Sequence, residues 1–194
     1  MKHSSVLIEA GLFRPVISLD TNPTRLAFAQ HNATIYGVAD RIDFILADYL
    51  VWTRAYLTLP ATKRPSIDIV FLDPPWGGPE YFDSEVALAA RVKAELTGTP
   101  YPEYSLSSLM PIPGSQLFEL SRRITCNIAF FLPRGIIVDE ILDLVPNGKY
   151  TPSSGSGGVS GPEMVEIEEQ WMDDKLRAVT CYFGGLVSGQ QHMC

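Results

Sequence analysis

The feature that most constrains the fold of this chain is a set of three short apolar segments that each end on an aspartate. They cover residues 16–20, 42–48 and 67–73 and end on Asp20, Asp48 and Asp73. The stretch between the first two has a helical pattern. Short buried strands that alternate with helices are typical of a doubly wound parallel sheet. The sequence therefore predicts an α/β protein with a Rossmann-like sheet.

The helical stretch carries signals for its start, its end and its buried face. Asn22 is a predicted N-cap, Pro23 suits the first helical position, and Gly37 is expected to stop the helix. Its buried stripe is expected to consist of Leu26, Ala29, Ala33 and either Ile35 or Tyr36.

The three acids are expected to mark a ligand site, because open α/β sheets bind ligands outside the carboxyl ends of their strands. Each acid alone could instead begin a turn or cap a helix. In nucleoside-binding folds the acid that ends the second strand accepts hydrogen bonds from ribose hydroxyls. Asp20 matches this acid, because the first strand of such folds is missing from this sequence, as described below. A carboxylate offers two acceptor oxygens side by side. We therefore expect Asp20 to contact the ribose of a cofactor.

The segment Asp73-Pro74-Pro75-Trp76 indicates methyl transfer to an exocyclic amine. A carboxylate and a proline carbonyl can accept the hydrogens of such an amine, which frees its lone pair for attack. Trp76 offers a flat face on which a purine, above all a cationic one, can stack. The alternative is an ordinary turn after a strand, with Trp76 as a core aromatic.

The longer string Asp-Pro-Pro-Trp-Gly-Gly-Pro-Glu-Tyr, residues 73–81, resembles the signature of the trimethylguanosine synthase family. Members of that family dimethylate the exocyclic amine of the 7-methylguanosine RNA cap with S-adenosylmethionine. The resemblance extends over residues 6–186, interrupted between residues 82 and 109. It implies that Trp76 stacks on the 7-methylguanine, and that Asp73 and the Pro74 carbonyl face the accepting nitrogen.

The same resemblance implies roles for two further residues. Asp48 matches the position that holds the adenine amino group, with a helix N-cap as the alternative. Arg134 corresponds to an arginine that grips cap phosphates, with a plain surface arginine as the alternative. The family often has serine at the position of Asp73, and aspartate there resembles the amine methyltransferases of nucleic-acid bases. The implied partners are capped snRNA and snoRNA, with ribonucleoprotein proteins, in the nucleus or the cytoplasm.

The rest of the chain predicts one domain over residues 1–194. Residues 114–124 and 138–144 have helical patterns, and residues 127–132 form a predicted buried strand. Residues 83–113 are expected to be a surface insertion, and residues 147–162, rich in Gly and Ser, a flexible loop. Two final strands, at residues 165–172 and 176–183, should form an antiparallel hairpin at a sheet edge. The resemblance to S-adenosylmethionine methyltransferases implies the same ending.

Composition narrows the function classes. A formal charge of −7 argues against extended gripping of a phosphate backbone, so an RNA substrate would be held by its end. No apolar run approaches the ~18 residues of a membrane span. The three cysteines and three histidines are scattered, which argues against a disulfide framework and against a metal site.

The Gly-rich loop that normally follows the first strand and cradles the cofactor is absent from the sequence. Residues 5–11 are read as the tail of the helix after that loop, so the central strand of the sheet should be missing between the strands that end at Asp20 and Asp73. The sequence thus predicts an N-terminally truncated member of the family. Two alternatives stay open: a catalytically silent cap-binding fragment, and an amino methyltransferase acting on another nucleic-acid base.

Overall fold

A computed structural model describes residues 15–76, 103–145 and 163–188 of the chain. The chain divides into two compact units, residues 1–65 and 66–194. The predicted loop at residues 147–162 and most of the predicted insertion lie outside the described residues, as do residues 5–11. The expectation of a single domain stays a prediction.

The first unit contains two strands and two helices in alternation: β1 (Val16–Asp20), α1 (Pro23–Ile35), β2 (Ile42–Leu46) and α2 (Tyr49–Thr58). Short 3-10 turns cover Ala39–Arg41 and Ala61–Lys63. β1 and β2 pair in parallel, with Asp20 opposite Leu46. The carboxyl ends of the two strands therefore lie at the same edge, as a βαβ crossover requires.

Helix α1 begins and ends where the sequence predicts. The Asn22 side chain accepts hydrogen bonds from the backbone N–H groups of Thr24 and Arg25, at 2.9 and 3.1 Å, and thus satisfies two of the free donors of the first turn. Gly37 follows the helix with φ +69°, in the left-handed region where glycine carries no side-chain penalty.

The predicted apolar stripe of α1 is correct only in part. Ala33 is buried, whereas Ile35 and Tyr36 are 68% and 80% exposed. Ile35 lies two positions after Ala33, which on a helix turns its side chain to the opposite face, and Tyr36 is already the C-cap. The expectation that Ile35 or Tyr36 completes the buried face is therefore wrong.

The second unit holds a four-stranded mixed sheet. Its strands lie in the order β3 (Val70–Leu72), β4 (Ile128–Pro133), β6 (Lys175–Phe183) and β5 (Glu166–Met172). β3 and β4 are parallel, whereas the β4–β6 and β5–β6 pairs are antiparallel. The predicted C-terminal hairpin is confirmed. Together with the parallel β1–β2 pair, this mixed sheet is consistent with a Rossmann-like methyltransferase fold. Among the described strands, β1 and β3 each have a single neighbour.

The helices of the second unit are α3 (Gly114–Arg122) and α4 (Val138–Leu142), each two residues shorter than predicted. Short 3-10 turns cover Leu106–Ser108 and Gly184–Leu186. The side chains of the core converge from these helices and from the sheet. Those that are at most 1% exposed include Leu109, Phe118, Ile128, Phe130, Leu132, Ile141, Cys181 and Phe183.

Strand β3 is shorter than the apolar segment at residues 67–72 that predicted it. The Asp68 carbonyl accepts hydrogen bonds from the Asn127 side-chain amide at 2.9 Å and from the Thr125 hydroxyl at 3.0 Å. Because side chains rather than a neighbouring backbone bind this carbonyl, the regular ladder starts only at Val70, whose N–H donates to the Asn127 carbonyl at 3.0 Å.

The last part of the predicted surface insertion belongs to the core. Tyr104, Leu106 and Leu109 are 4%, 3% and 1% exposed. The Tyr104 N–H donates to the Gly135 carbonyl at 2.8 Å, which ties this segment to the end of β4. The Pro, Ser and Tyr content of the segment suggested a surface position, but its apolar residues pack inward.

Three further expectations concern disulfides, metal sites and membrane spans. Cys181 is free and buried, whereas Cys126 is disulfide-bonded, which the scattered cysteine spacing did not indicate. No group of three or more His, Cys, Asp or Glu side chains in the described ranges could hold a metal ion. None of the helices that the structure describes has the length and apolar character to cross a membrane.

Candidate functional site

The Asp73–Trp76 segment lies at the carboxyl edge of the parallel β3–β4 pair. Leu72, the last residue of β3, pairs with Phe130, and Asp73 follows directly. Arg134 follows the end of β4 in the same way. The second unit therefore brings Asp73, Trp76 and Arg134 to the same edge of its sheet, which is where an open α/β sheet binds ligands.

Trp76 is half-buried and lies against Phe131 of β4. Its indole N–H donates to the Phe131 carbonyl at 3.3 Å, and the two ring centroids are 5.1 Å apart with an angle of 39° between the planes. Among the described residues of this unit, the aromatic rings that are at most 1% exposed are Phe118, Phe130 and Phe183. Trp76 is therefore attached to the flank of the sheet rather than enclosed among the core side chains.

The three residues before Trp76 are Asp73, Pro74 and Pro75. Their carboxylate and carbonyl oxygens are hydrogen-bond acceptors, and the two prolines have no backbone N–H to donate. Asp73 and Pro74 are half-buried and Pro75 is exposed. Because proline has no N–H, the turn has fewer donors that could compete for its own carbonyls. A carboxylate and a carbonyl at a partly desolvated strand end can accept the two hydrogens of an amine.

Arg134 is half-buried and donates from Nη1 to the Leu176 carbonyl of β6 at 3.1 Å. This bond fixes one of the five N–H groups of the guanidinium. Arg134 is therefore anchored to the sheet rather than extended freely into solvent. A fixed guanidinium fork is suited to phosphate oxygens.

In the first unit, Asp20 is bound by Arg25. Arg25 Nε donates to Oδ2 at 2.8 Å and Nη2 donates to Oδ1 at 2.6 Å, while the Asn22 N–H also donates to Oδ1, at 2.7 Å. The Asp20 side chain is 8% exposed. Hydrogen bonding to this carboxylate raises the pKa of Arg25, although partial burial opposes the shift. Sequence reasoning missed Arg25, although its position three residues after the N-cap Asn22 places it in the first helical turn beside Asp20.

Asp48 caps α2. Its Oδ1 accepts from the Val51 N–H at 2.9 Å, so the capping alternative is confirmed. The capping bond engages one carboxylate oxygen, Oδ1. Because β1 and β2 are parallel neighbours, Asp20 and Asp48 lie at the same edge of their sheet. The adenine contact of Asp48 and the ribose contact of Asp20 stay predictions.

Asn127 joins two segments of the second unit. Its Nδ2 donates to the Asp68 carbonyl at 2.9 Å, and its Oδ1 accepts from the Gly185 N–H at 2.8 Å. Both ends of the amide are thus used within the fold, as expected for a structural residue.

The chain is similar to a known protein family and to a characterised relative. Residues 6–94 match the family model described as RNA cap guanine-N2 methyltransferase. The trimethylguanosine synthase of Schizosaccharomyces pombe (strain 972 / ATCC 24843) is 34% identical over 135 residues, which make up 69% of this chain and 48% of that protein. The chain thus spans about half the length of the curated relative that it matches.

Proposed function

The chain belongs to the RNA cap guanine-N2 methyltransferase family, and from this premise we propose that it methylates N2 of the 7-methylguanosine cap of small RNAs to give 2,2,7-trimethylguanosine. The observation that carries the proposal is the half-buried Trp76 at the carboxyl edge of β3, next to Asp73 and Pro74. Stacking on a cationic base contributes ~2 kcal/mol when desolvated, which corresponds to more than tenfold selectivity over a neutral base.

The proposed cofactor is S-adenosylmethionine, which supplies an electrophilic methyl group on a sulfonium. Asp48 fits the adenine, because its capping bond engages only Oδ1. Asp20 fits the ribose less simply. Arg25 and the Asn22 N–H already donate to both oxygens of its carboxylate. A ribose diol therefore has to displace at least one of these hydrogen bonds.

Bound S-adenosylmethionine would supply the methyl group to the N2 lone pair, and its sulfur would keep the bonding pair as S-adenosylhomocysteine leaves. Trp76 orients the base, while Asp73 and the Pro74 carbonyl accept the amine hydrogens and localise the lone pair on nitrogen. The nitrogen then loses one proton to Asp73 or to water. On this account, catalysis comes mainly from positioning the exocyclic amine against the methyl group.

The proposed partners are capped snRNA and snoRNA, with ribonucleoprotein proteins, in the nucleus or the cytoplasm. With a formal charge of −7, the chain is poorly suited to bind a long phosphate backbone without sequence preference. Recognition is therefore proposed to act on the cap itself, with Trp76 on the base and Arg134 on the phosphates.

The proposal is tested by titrating the purified chain with 7-methylguanosine diphosphate, guanosine diphosphate and S-adenosylhomocysteine. We expect the methylated nucleotide to bind at least tenfold more tightly than the unmethylated one, and Trp76→Ala to remove most of this difference. Trp171→Ala is the matched control, because Trp171 is 59% exposed on β5. Unchanged cap selectivity in Trp76→Ala would rule out the stacking role.

Transfer of a labelled methyl group separates the remaining alternatives. Methylation of capped but not uncapped RNA supports the proposed reaction. Cap binding without S-adenosylhomocysteine binding or methyl transfer would instead indicate a silent cap-binding protein. Equal methylation of uncapped RNA would indicate an amino methyltransferase for another base.

A further inference from the structure

The side chain of Phe131 contacts Trp76 from a strand whose adjacent residues are completely buried. Phe130 and Leu132 are 0% exposed, whereas Phe131 between them is half-buried. Since side chains alternate along a strand, Phe131 lies on the opposite face of β4 from its two neighbours. That face is the one against which Trp76 packs.

The Phe131 backbone is also available to Trp76. β3 ends at Leu72, which is paired with Phe130, so the Phe131 carbonyl lies beyond the last residue pair between the two strands. The indole N–H occupies this carbonyl at 3.3 Å. The hydrogen bond holds one edge of the indole, and the Phe131 ring, with its centroid 5.1 Å away, limits how far the indole plane can tilt.

The Phe131 ring is itself supported from the neighbouring strand. Phe71 of β3 stacks on it with centroids 6.4 Å apart and 30° between the planes. The three aromatic side chains therefore form a continuous row from β3 through β4 to Trp76. Because Phe71 restrains the Phe131 ring, Phe131 can in turn restrain the indole of Trp76.

We propose that Phe131 is a positioning residue that sets the plane of the Trp76 indole and thereby the preference for a methylated, cationic purine. This inference rests on the proposed cap-stacking function of Trp76. The attraction between a cation and an aromatic face requires the cation to lie over the ring, whereas a neutral base stacks in many offset geometries. An indole that is free to tilt therefore loses more affinity for 7-methylguanine than for guanine.

The test compares Phe131→Leu and Phe131→Tyr in a background carrying Trp52→Phe and Trp171→Phe, which leaves Trp76 as the single fluorescent indole. Binding of 7-methylguanosine diphosphate and of guanosine diphosphate is followed by quenching of this indole. Phe28→Leu is the matched control, because Phe28 is 64% exposed on α1. Urea unfolding of each variant reports folding independently of binding.

We expect Phe131→Leu to weaken 7-methylguanosine diphosphate binding about fivefold and to change guanosine diphosphate binding less than twofold. Phe131→Tyr, which keeps the ring, should retain the selectivity. Equal changes for both nucleotides, or none, would overturn the inference. If Phe131→Leu does not fold, Phe131→Met gives the same test with a flexible side chain of similar size.

The two levels of failure can be told apart. If the parent protein with Phe131 intact shows no preference for the methylated nucleotide, the proposed function is wrong and the positioning role falls with it. If the parent shows the preference and Phe131→Leu keeps it fully, only the positioning role is wrong.

Discussion

Arg25 binds both carboxylate oxygens of Asp20, with Nε 2.8 Å from Oδ2 and Nη2 2.6 Å from Oδ1. The pair lies at the carboxyl end of β1, where the sequence predicts a ribose contact. The Asp20 side chain is 8% exposed and the Arg25 side chain is 38% exposed. The carboxylate is therefore largely covered, in part by Arg25 of helix α1. The arginine and a ribose would therefore compete for the same carboxylate.

This competition predicts that substitutions of Arg25 and of Asp20 change S-adenosylhomocysteine binding in opposite directions. Arg25→Ala is expected to tighten S-adenosylhomocysteine binding about threefold, because the ribose no longer has to displace a hydrogen bond. Asp20→Asn is expected to weaken binding about tenfold, because charged acceptors form the stronger hydrogen bonds. Titration calorimetry measures both, with Asp40→Asn as an exposed control. Weaker binding in Arg25→Ala would instead identify Arg25 as a residue that orients the acid for the cofactor.

Gly184 is expected to be intolerant of any side chain. Its φ is +66°, and an added Cβ would lie against the backbone carbonyl of Cys126, 2.8 Å from the carbonyl carbon. Gly184→Ala should therefore destabilise the fold by ~3 kcal/mol, from backbone strain and the clash together. Gly37 has a similar φ of +69° but open space around its Cα, so Gly37→Ala should cost only ~1 kcal/mol. If urea denaturation showed that Gly184→Ala and Gly37→Ala lose the same free energy of unfolding, the clash near Cys126 would be relieved by a backbone shift.

Cys181 is expected to be inert in the folded protein. Burial raises the pKa of its thiol from 9.0 to about 12, and the thiolate is the reactive form. At pH 8, iodoacetamide should modify it about a thousandfold more slowly in the native protein than in urea. The same shift makes the folded state lose stability as the pH rises from 9 toward 12, because the unfolded chain releases the proton first. Mass spectrometry of timed samples measures the modification, and rapid native labelling would contradict the burial.

Asn127 is expected to act on stability and not on ligand choice. In Asn127→Asp the donor to the Asp68 carbonyl is lost and two oxygens face each other, while the bond from the Gly185 N–H can persist. We expect a loss of ~2 kcal/mol in unfolding free energy with the ratio of 7-methylguanosine to guanosine diphosphate affinities unchanged. The exposed Asn32→Asp is the control. A changed affinity ratio would mean that Asn127 influences the cap site directly.

Local signals in the sequence determined much of this molecule. Asn22, Pro23 and Gly37 specify the ends of α1 through backbone donors and conformations that depend only on near neighbours. Apolar runs located β1, β2 and β4, and the two strands of the hairpin were also predicted from the sequence. The motif at residues 73–81 indicated the family, because its residue types are those that the chemistry needs.

Only the tertiary structure decided which side chains meet across elements. Nothing in the sequence indicates that Phe131 rather than Phe130 supports Trp76, or that Tyr104 and Leu109 belong to the core. These contacts depend on strand register and on which face of each element is covered. Both are set by packing between segments far apart in the chain, whereas propensities and capping patterns act only over a few residues.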